Sequence, residues 1–301
     1  MKHPREVLLG AQAAARVLPV CDHYSGVEVR MRKSLQLQAE LHQEFGVGVI
    51  DVTLDCEDGA PVGGEKDHAE LVLSLATSAS SDARVAVRVH PLGHPAFEQD
   101  IAILVGQART RWCHIMLPKV ESAAQIVATD LLLRQVEIAN GLPVGHIGIE
   151  AQIETARGLI NVEEICAASP RIETIIFGPA DFAASMEMPV LTGGVQIADY
   201  PGDHFHYVFN KILMAGRANG LQVIDGPYLY IRDADGFRDY CKRTRTLGYD
   251  GKWALHPDQV AILNEVFSPT QEQFDRACAI LDAYETATEG EGKGAVMFGD
   301  E

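Results

Sequence analysis

A short run of apolar and β-branched residues, followed by a segment with helical periodicity, recurs along most of the chain. Strands that alternate with helices in this way form βαβ units, and such units build parallel sheets. Eight units over about 260 residues favour an α/β fold of the (β/α)8 type, a TIM barrel, over an open doubly wound sheet. The predicted strands are 16–20, 47–55, 84–89, 114–120, 146–154, 172–178, 221–226 and 251–256.

The end of the last unit sets the expected domain boundary. We predict a barrel domain over residues 1–267 and a C-terminal extension over 268–301. The extension has a helical pattern over 270–287, and we interpret it as the start of a lid that residue 301 cuts short. A Gly/Pro-rich segment, 186–204, interrupts the rhythm after the sixth strand, and loops of this length commonly cover a site.

The composition narrows the classes of partner and the compartment. The chain carries 42 acidic and 25 basic residues, for a formal net charge of −17. This acidity argues against nucleic acid or an anionic membrane as the main partner, and no apolar run approaches the ~20 residues that span a bilayer. Its 6 cysteines include no Cys-x-x-Cys pair. Reduced thiols of this kind are typical of a cytoplasmic protein.

The charged residues of the predicted barrel concentrate where its strands end, which is where (β/α)8 barrels place their chemistry. These residues are Asp55, Glu57, Arg88, Lys119, Glu154, Asp181 and Asp225. Carboxylates that converge in one cleft repel one another unless a cation joins them. A hard divalent cation with oxygen ligands would remove this repulsion.

Glu154 and Asp181 follow consecutive strands, so they could share one Mg²⁺ ion, for which Mn²⁺ is a substitute. The alternative for Asp181 is that it caps the helix after the sixth strand. Asp55 and Glu57 are assigned to the catalytic group, where they would hold metal-bound waters or basic side chains.

Arg88 emerges from a strand rich in valine, so its guanidinium needs an anionic or carbonyl partner. We predict that the planar fork contacts a carboxylate or enolate oxygen of a substrate. The alternative is an internal salt bridge to Asp55 or Glu57, and both roles can coexist.

Three further residues at strand ends leave two interpretations open. Lys119 is either an ion-pair partner or the Schiff-base nucleophile of a metal-free aldolase. His90 and His256, each followed by proline, are either structural imidazoles or acid–base groups.

Seven motifs cover almost the whole chain in a specific order and spacing. They are LDCEDGAPVGGEK (54–66), VRVHPLGHPAFEQD (87–100), IMLPKVESA (115–123), IETARGLINVEEICAASPRI (153–172), GPADFAASM (178–186), ANGLQVIDGPY (218–228) and LGYDGKWALHPDQV (247–260). Together they resemble the citrate lyase β-subunit-like acyl-CoA lyases of the HpcH/HpaI aldolase superfamily. The stretch 191–207 is most similar to the malyl-CoA lyase branch.

The resemblance implies a Mg²⁺-dependent carbon–carbon lyase that forms homotrimers or homohexamers. The implied reaction cleaves a malyl-CoA- or citramalyl-CoA-type thioester reversibly into acetyl-CoA and a 2-oxo acid, glyoxylate or pyruvate. It also implies that Glu154 and Asp181 bind the metal, and that Arg88 contacts the substrate. Substrate binding is also implied for the motif Gly178, Pro179, Ala180 and Asp181. Two alternatives are a CoA-independent, metal-dependent pyruvate aldolase and a non-catalytic citrate-lyase-β-like protein.

Other family features are absent or altered. The resemblance implies that the catalytic base is an Asp in a Met-Ile-Asp-like motif of the lid. That motif is absent from residues 1–301. Either that residue lies beyond position 301, or this chain is without it. His90 stands where the family usually carries Asn, and we expect it to influence which oxo acid fits. Arg30, Arg32, Lys33 and Lys66 are candidates for the CoA phosphates, and a solvated helix face is the alternative.

Overall fold

The computed structural model describes residues 18–108, 112–189 and 200–287. Its strands form one closed parallel barrel in chain order, in which β1 pairs with both β2 and β8. The strands are β1 Cys21–Ser25, β2 Ile50–Asp55, β3 Val85–Arg88, β4 His114–Leu117, β5 Gly148–Ile153, β6 Ile172–Phe177, β7 Gln222–Asp225 and β8 Gly251–Ala254. The predicted (β/α)8 barrel is therefore confirmed.

Helices follow the strands along the described chain. They are α1 Glu28–Phe45, α2 Glu65–Ser78, α3 97–108, α4 Ala123–Ala139, α5 Ala156–Ile160, α6 Val162–Cys166, α7 Pro179–Ser185, α8 His206–Ala218, α9 Ala234–Leu247, α10 Pro257–Phe267 and α11 Gln271–Glu285. Within α3 the stretch Ile101–Val105 is π-helical. α7 directly follows β6 and precedes the Gly/Pro-rich segment. Residues 190–199 of the predicted interruption lie outside the described residues.

The first strand differs from its prediction. It was expected at 16–20, but β1 is Cys21–Ser25, and its sequence contains Asp22 and Tyr24. A polar strand is stable here because Asp22 accepts hydrogen bonds inside the barrel from Thr53, at 2.8 Å, and from Trp253, at 2.6 Å. The apolar run at 16–20 matched the usual strand composition better than this polar segment.

The barrel wall has an apolar outer face and an unusually polar interior. On β2, Ile50, Val52 and Leu54 belong to the hydrophobic core shared with the helices. Because strand side chains alternate between the two faces, Asp51, Thr53 and Asp55 lie on the opposite face. Buried hydrogen bonds and ion pairs therefore fill much of the space that branched apolar residues fill in most such barrels.

The described residues separate into two units. One is the barrel unit, Pro19–Phe267, and the second contains Leu18 and the residues from Ser268 onward. In the second unit, α11 begins with a capping box formed by Thr270 and Gln273. That residues 268–301 begin a lid stays a prediction. None of the described helices is both long enough and apolar enough to span a membrane.

One buried imidazole of the barrel has no hydrogen-bond partner. His23 on β1 is 3% exposed, and among the described residues neither ring nitrogen is bonded. Burial, and to a lesser extent the nearby His256, lowers the pKa of His23 from 6.5 to about 4. The ring is therefore neutral at pH 7 and resists protonation in the folded protein.

We expect His23 to make the folded protein less stable in mild acid. Between pH 6.5 and 4 the unfolded chain binds a proton at His23 and the folded chain does not. The free energy of unfolding therefore falls as the pH drops, by about 3 kcal/mol in total from this residue. Urea unfolding of the wild type and of His23→Leu from pH 8 to 4 measures this, and the two curves should diverge only below about pH 6.5. Parallel curves would contradict the assignment.

Candidate active site

The predicted functional residues meet at the carboxyl end of the barrel. Asp55 and Arg88 are the last residues of β2 and β3, and Glu154 directly follows β5. Asp181 lies in the first turn of α7. Glu57 and Lys119, which follow β2 and β4, are joined by a hydrogen bond between Lys119 Nζ and Glu57 Oε1.

Arg88 is the centre of a buried ionic network. Its side chain is 3% exposed, and Nε and Nη2 donate to the two oxygens of Asp55 at 2.7 and 3.0 Å. Nη2 also lies 2.8 Å from Asp58 Oδ2, and Nη1 lies 3.0 Å from Glu57 Oε2. Burial alone would lower the pKa of Arg88, but Asp55 and its other partners hold that pKa well above the usual value. The guanidinium is therefore charged.

Asp55 has no carboxylate oxygen left for a substrate. Besides the fork of Arg88, its oxygens accept hydrogen bonds from the Tyr24 hydroxyl at 2.6 Å and from the backbone N–H groups of Glu57 and Gly59 at 3.0 and 2.8 Å. Its pKa is lowered, since these donors and Arg88 outweigh the effect of burial. Both oxygens of Asp55 are therefore occupied by hydrogen bonds within the protein.

Lys119 is an ion-pair partner in this structure. Burial lowers its pKa, but Glu57 outweighs burial, and the pKa is raised overall. A Schiff-base lysine requires a neutral amine, so this environment favours the ion-pair interpretation. The backbone of Lys119 has a φ of 52°, in the left-handed region. This conformation directs its N–H onto Glu154 Oε1, at 2.8 Å.

Glu154 is a buried carboxylate with one unsatisfied oxygen. It is 1% exposed, and Oε2 has no hydrogen-bond partner among the described residues. Burial, and then the charge of Asp181, raises the pKa of Glu154 to about 8. Two neighbouring carboxylates, one with an orphaned buried oxygen, make a site that a cation stabilises.

The motif that follows β6 leaves space for this carboxylate. A Cβ atom on Gly178 would lie 2.4 Å from Glu154 Oε2 and 2.6 Å from Glu154 Cβ. Pro179 begins α7 with Gly178 as its N-cap, so Asp181 is not the capping residue of this helix. Gly178 and Pro179 are buried, Ala180 is half-buried, and Asp181 is exposed.

The two histidines at strand ends are held in different ways. His90 Nδ1 lies 2.7 Å from Asp100 Oδ2, which also accepts the His90 backbone N–H at 2.9 Å, and the ring stacks on His94. His256 is 44% exposed, and its Nδ1 accepts the backbone N–H of Asp258 at the start of α10. These contacts favour a structural role for His256 and fix the ring of His90.

The four basic candidates for CoA lie on exposed helix surface. Arg30, Arg32 and Lys33 are on the early turns of α1, and Lys66 is on the first turn of α2. Arg32 pairs with Glu28 at 2.7 Å, and Lys66 lies 3.7 Å from Glu70. Both helices start at the same end of the barrel as the buried network. Their role toward CoA stays a prediction.

Two aromatic residues beside Arg88 were not among the predicted site residues. Tyr24 on β1 and Trp253 on β8 stack with their ring centroids 4.6 Å apart, and both rings lie beside Arg88. The misplaced first strand hid Tyr24. Cys21–Ser25 has no apolar–polar alternation, since Asp22, His23 and Ser25 are all polar, so the sequence carried no strand signal there.

Replacing Gly178 by alanine should be destabilising, because the new methyl group would overlap the Glu154 side chain. We expect the free energy of unfolding to fall by about 1–3 kcal/mol. Gly106→Ala is the matched control, since a Cβ at Gly106 meets no atom within 4 Å. Urea denaturation measures both variants, and equal stability of the two would refute the close approach of Gly178 to Glu154.

Comparison with known proteins identifies relatives of this chain. The family model for HpcH/HpaI aldolase/citrate lyase matches residues 37–257. The L-malyl-CoA/beta-methylmalyl-CoA lyase of Cereibacter sphaeroides (strain ATCC 17025) is 38% identical over 269 residues, which cover 86% of this chain and 84% of that protein. The (3S)-malyl-CoA thioesterase of the same strain is 31% identical over 259 residues, or 85% of this chain and 82% of that protein.

A solved structure shares the whole fold. The crystal structure of a citrate lyase from Burkholderia xenovorans LB400 superposes with a TM-score of 0.83 at 29% sequence identity. The match covers 100% of this chain and 90% of that chain.

Proposed function

Because this chain belongs to the HpcH/HpaI aldolase/citrate lyase family, we propose that it is a divalent-metal-dependent acyl-CoA lyase. The substrate is a malyl-CoA-type or citramalyl-CoA-type thioester, and cleavage gives acetyl-CoA and a 2-oxo acid, glyoxylate or pyruvate. The relative at 38% identity, named a malyl-CoA/beta-methylmalyl-CoA lyase, supports this substrate class.

The observation that carries the proposal is the orphaned oxygen of Glu154 beside Asp181. The donor set is oxygen only, which suits Mg²⁺ or, as a substitute, Mn²⁺. Gly178 leaves free the space beside the carboxylate that a side chain would occupy. Glu154 and Asp181 are thus the proposed metal ligands. A bound Mg²⁺ would act as a Lewis acid toward the oxo-acid oxygens and would offset the two negative charges.

Arg88 is proposed to stabilise the charge that develops on the acyl-CoA fragment. When the carbon–carbon bond breaks, the thioester carbonyl oxygen becomes an enolate oxygen. Each terminal nitrogen of a guanidinium carries two hydrogens. Among the described residues, Nη1 of Arg88 is paired with Glu57 alone. The remaining N–H can donate to that oxygen from a buried, preorganised position, where such donors are most effective.

The other predicted site residues support these two groups. Asp55 fixes the plane of Arg88 by two hydrogen bonds to its fork. Glu57 pairs with both Arg88 and Lys119, and the Lys119 backbone holds the second oxygen of Glu154. These contacts link Arg88 and Lys119 to the carboxylates Glu57 and Glu154. A substrate bound between Arg88 and Glu154 therefore meets groups of fixed orientation.

Exposed cations around the open end are proposed to attract the CoA phosphates. Arg30, Arg32, Lys33 and Lys66 lie on the helices that follow β1 and β2. In a chain of net charge −17 these side chains would supply local positive charge for a polyanion that approaches the open end. A homotrimeric or homohexameric assembly and a cytoplasmic location stay predictions.

We expect the purified protein to release an oxo acid and acetyl-CoA in equal amounts in Mg²⁺. The substrates to assay are malyl-CoA, β-methylmalyl-CoA and citramalyl-CoA, and β-methylmalyl-CoA gives propionyl-CoA in place of acetyl-CoA. Glyoxylate, pyruvate, acyl-CoA and free CoA thiol are all quantified. EDTA should abolish turnover, and added Mg²⁺ or Mn²⁺ should restore it, because Glu154 and Asp181 require a cation.

The same assay separates the alternatives. Release of free CoA and a hydroxy acid would indicate a thioesterase, the activity for which the relative at 31% identity is named. Cleavage of a CoA-free hydroxy-oxo acid alone would indicate a pyruvate aldolase, and no turnover of any substrate would indicate a non-catalytic protein. Borohydride with pyruvate should trap no adduct on Lys119, which is charged.

Neutral isosteres at the two proposed ligands should remove the metal site. Glu154→Gln and Asp181→Asn are each expected to lower kcat/KM by at least about 100-fold and to weaken Mg²⁺ binding in calorimetry. Stability should not fall for Glu154→Gln, since a pKa of about 8 keeps Glu154 mostly protonated without metal, and glutamine replaces a neutral group of the same shape. Glu164→Gln, on exposed surface of α6, is the control. Wild-type turnover of either ligand variant in EDTA would rule out the assignment.

A further inference from the structure

An aromatic pair lies against the guanidinium of Arg88. Tyr24 and Trp253 are stacked with an interplanar angle of 21°. Cζ of Arg88 is 5.0 Å from the centroid of the Tyr24 ring and 5.8 Å from that of Trp253. The two rings are neighbours because β1 and β8 close the barrel, with Asp22 in register with Trp253. Faces of aromatic rings attract cations at these distances.

The hydroxyl of Tyr24 bridges the buried ion pair. It donates to Asp55 Oδ2 at 2.6 Å and accepts from Arg88 Nη2 at 2.8 Å. Burial raises the pKa of Tyr24 well above its usual range, in spite of the opposing effect of Arg88. The phenol therefore stays protonated, and it remains a donor to Asp55 while it accepts from Arg88.

Trp253 is itself held by a hydrogen bond inside the barrel. Its Nε1 donates to Asp22 Oδ2 at 2.6 Å, and Thr53 donates to the same carboxylate at 2.8 Å. Asp22 and Thr53 are buried in the barrel interior. A continuous set of contacts thus runs from the interior of the barrel through Trp253 and Tyr24 to Arg88.

Arg88 needs such a support because acceptors compete for its Nη2. That nitrogen carries two hydrogens but faces Asp55, Tyr24 and Asp58. The side chain of Asp58 is 69% exposed, so its position is the least fixed of these three acceptors. The two hydrogen bonds to Asp55 hold one edge of the guanidinium. The ring faces of Tyr24 and Trp253 limit tilting of the guanidinium about that edge.

We propose that Tyr24 and Trp253 are positioning residues, which hold the plane of Arg88 so that one edge faces the substrate oxygen. The kinetic part of this inference rests on the proposed lyase activity. Tyr24 contributes its hydroxyl and ring, and Trp253 contributes the surface on which the Tyr24 ring lies. Neither residue needs to touch the reacting atoms.

A double-mutant cycle between Tyr24→Phe and Arg88→Lys tests the proposal. Tyr24→Phe should lower kcat about 10-fold and change KM less than about twofold, since the Arg88 contact strengthens as charge develops. In the Arg88→Lys background the same change should alter kcat less than about twofold, because the fork that Tyr24 orients is gone. Equal losses of kcat in both backgrounds would overturn the proposal.

Tyr249→Phe is the matched control. Tyr249 is also a buried tyrosine, and its hydroxyl donates to the backbone oxygen of Phe209 at 3.1 Å. Loss of that bond should leave kcat unchanged in both backgrounds. Trp253→Phe keeps an aromatic face but loses the bond to Asp22, so its kcat should lie between those of the wild type and Tyr24→Phe.

A second measurement decides the proposal without activity. In protein labelled with ¹⁵N-arginine, the Nε–H resonance of Arg88 should shift in Tyr24→Phe and stay in place in Tyr249→Phe. If the wild type cleaves none of the thioesters, the proposed function fails, and this resonance still tests the positioning of Arg88. An Arg88 resonance unchanged in Tyr24→Phe would refute the role of Tyr24.

Discussion

The buried ion pair between Arg88 and Asp55 is the interaction on which the open end of this barrel depends. Transfer of two charges out of water is costly, and their attraction alone does not always offset that cost. Here Asp55 receives additional hydrogen bonds from Tyr24 and from two backbone N–H groups. The pair joins β2 to β3, Tyr24 adds β1, and Glu57 and Asp58 of the loop after β2 also pair with Arg88.

The carboxylates of the site differ in whether a described cation is paired with them. Asp55, Glu57 and Asp58 all lie within salt-bridge distance of Arg88. Glu154 has one oxygen without a hydrogen-bond partner among the described residues, and its pKa is raised. The carboxylates around Arg88 are compensated by its charge, and we propose that a metal cation completes the compensation beside Glu154 and Asp181. The proposed metal site follows from this imbalance.

Most of the barrel could be predicted because its strands are apolar and regularly spaced. Arg88 could be found as an isolated charge among valines, and Glu154 and Asp181 as carboxylates after consecutive strands. The first strand was misplaced because Asp22, Tyr24 and Ser25 give it the composition of a loop. Its stability comes from partners on β2 and β8 that are distant in sequence. The same error concealed Tyr24 and, with it, the support of Arg88.

By itself, the sequence determined the order of the strands, the barrel they close into and the end at which carboxylates and cations collect. Those properties follow from local periodicity and from the geometry common to parallel barrels. Only the tertiary structure decided which charges are paired. Asp55 is saturated and Glu154 is not, although both are acidic residues at strand ends. The difference arises from neighbours contributed by other strands, since burial and hydrogen bonding depend on contacts across the barrel.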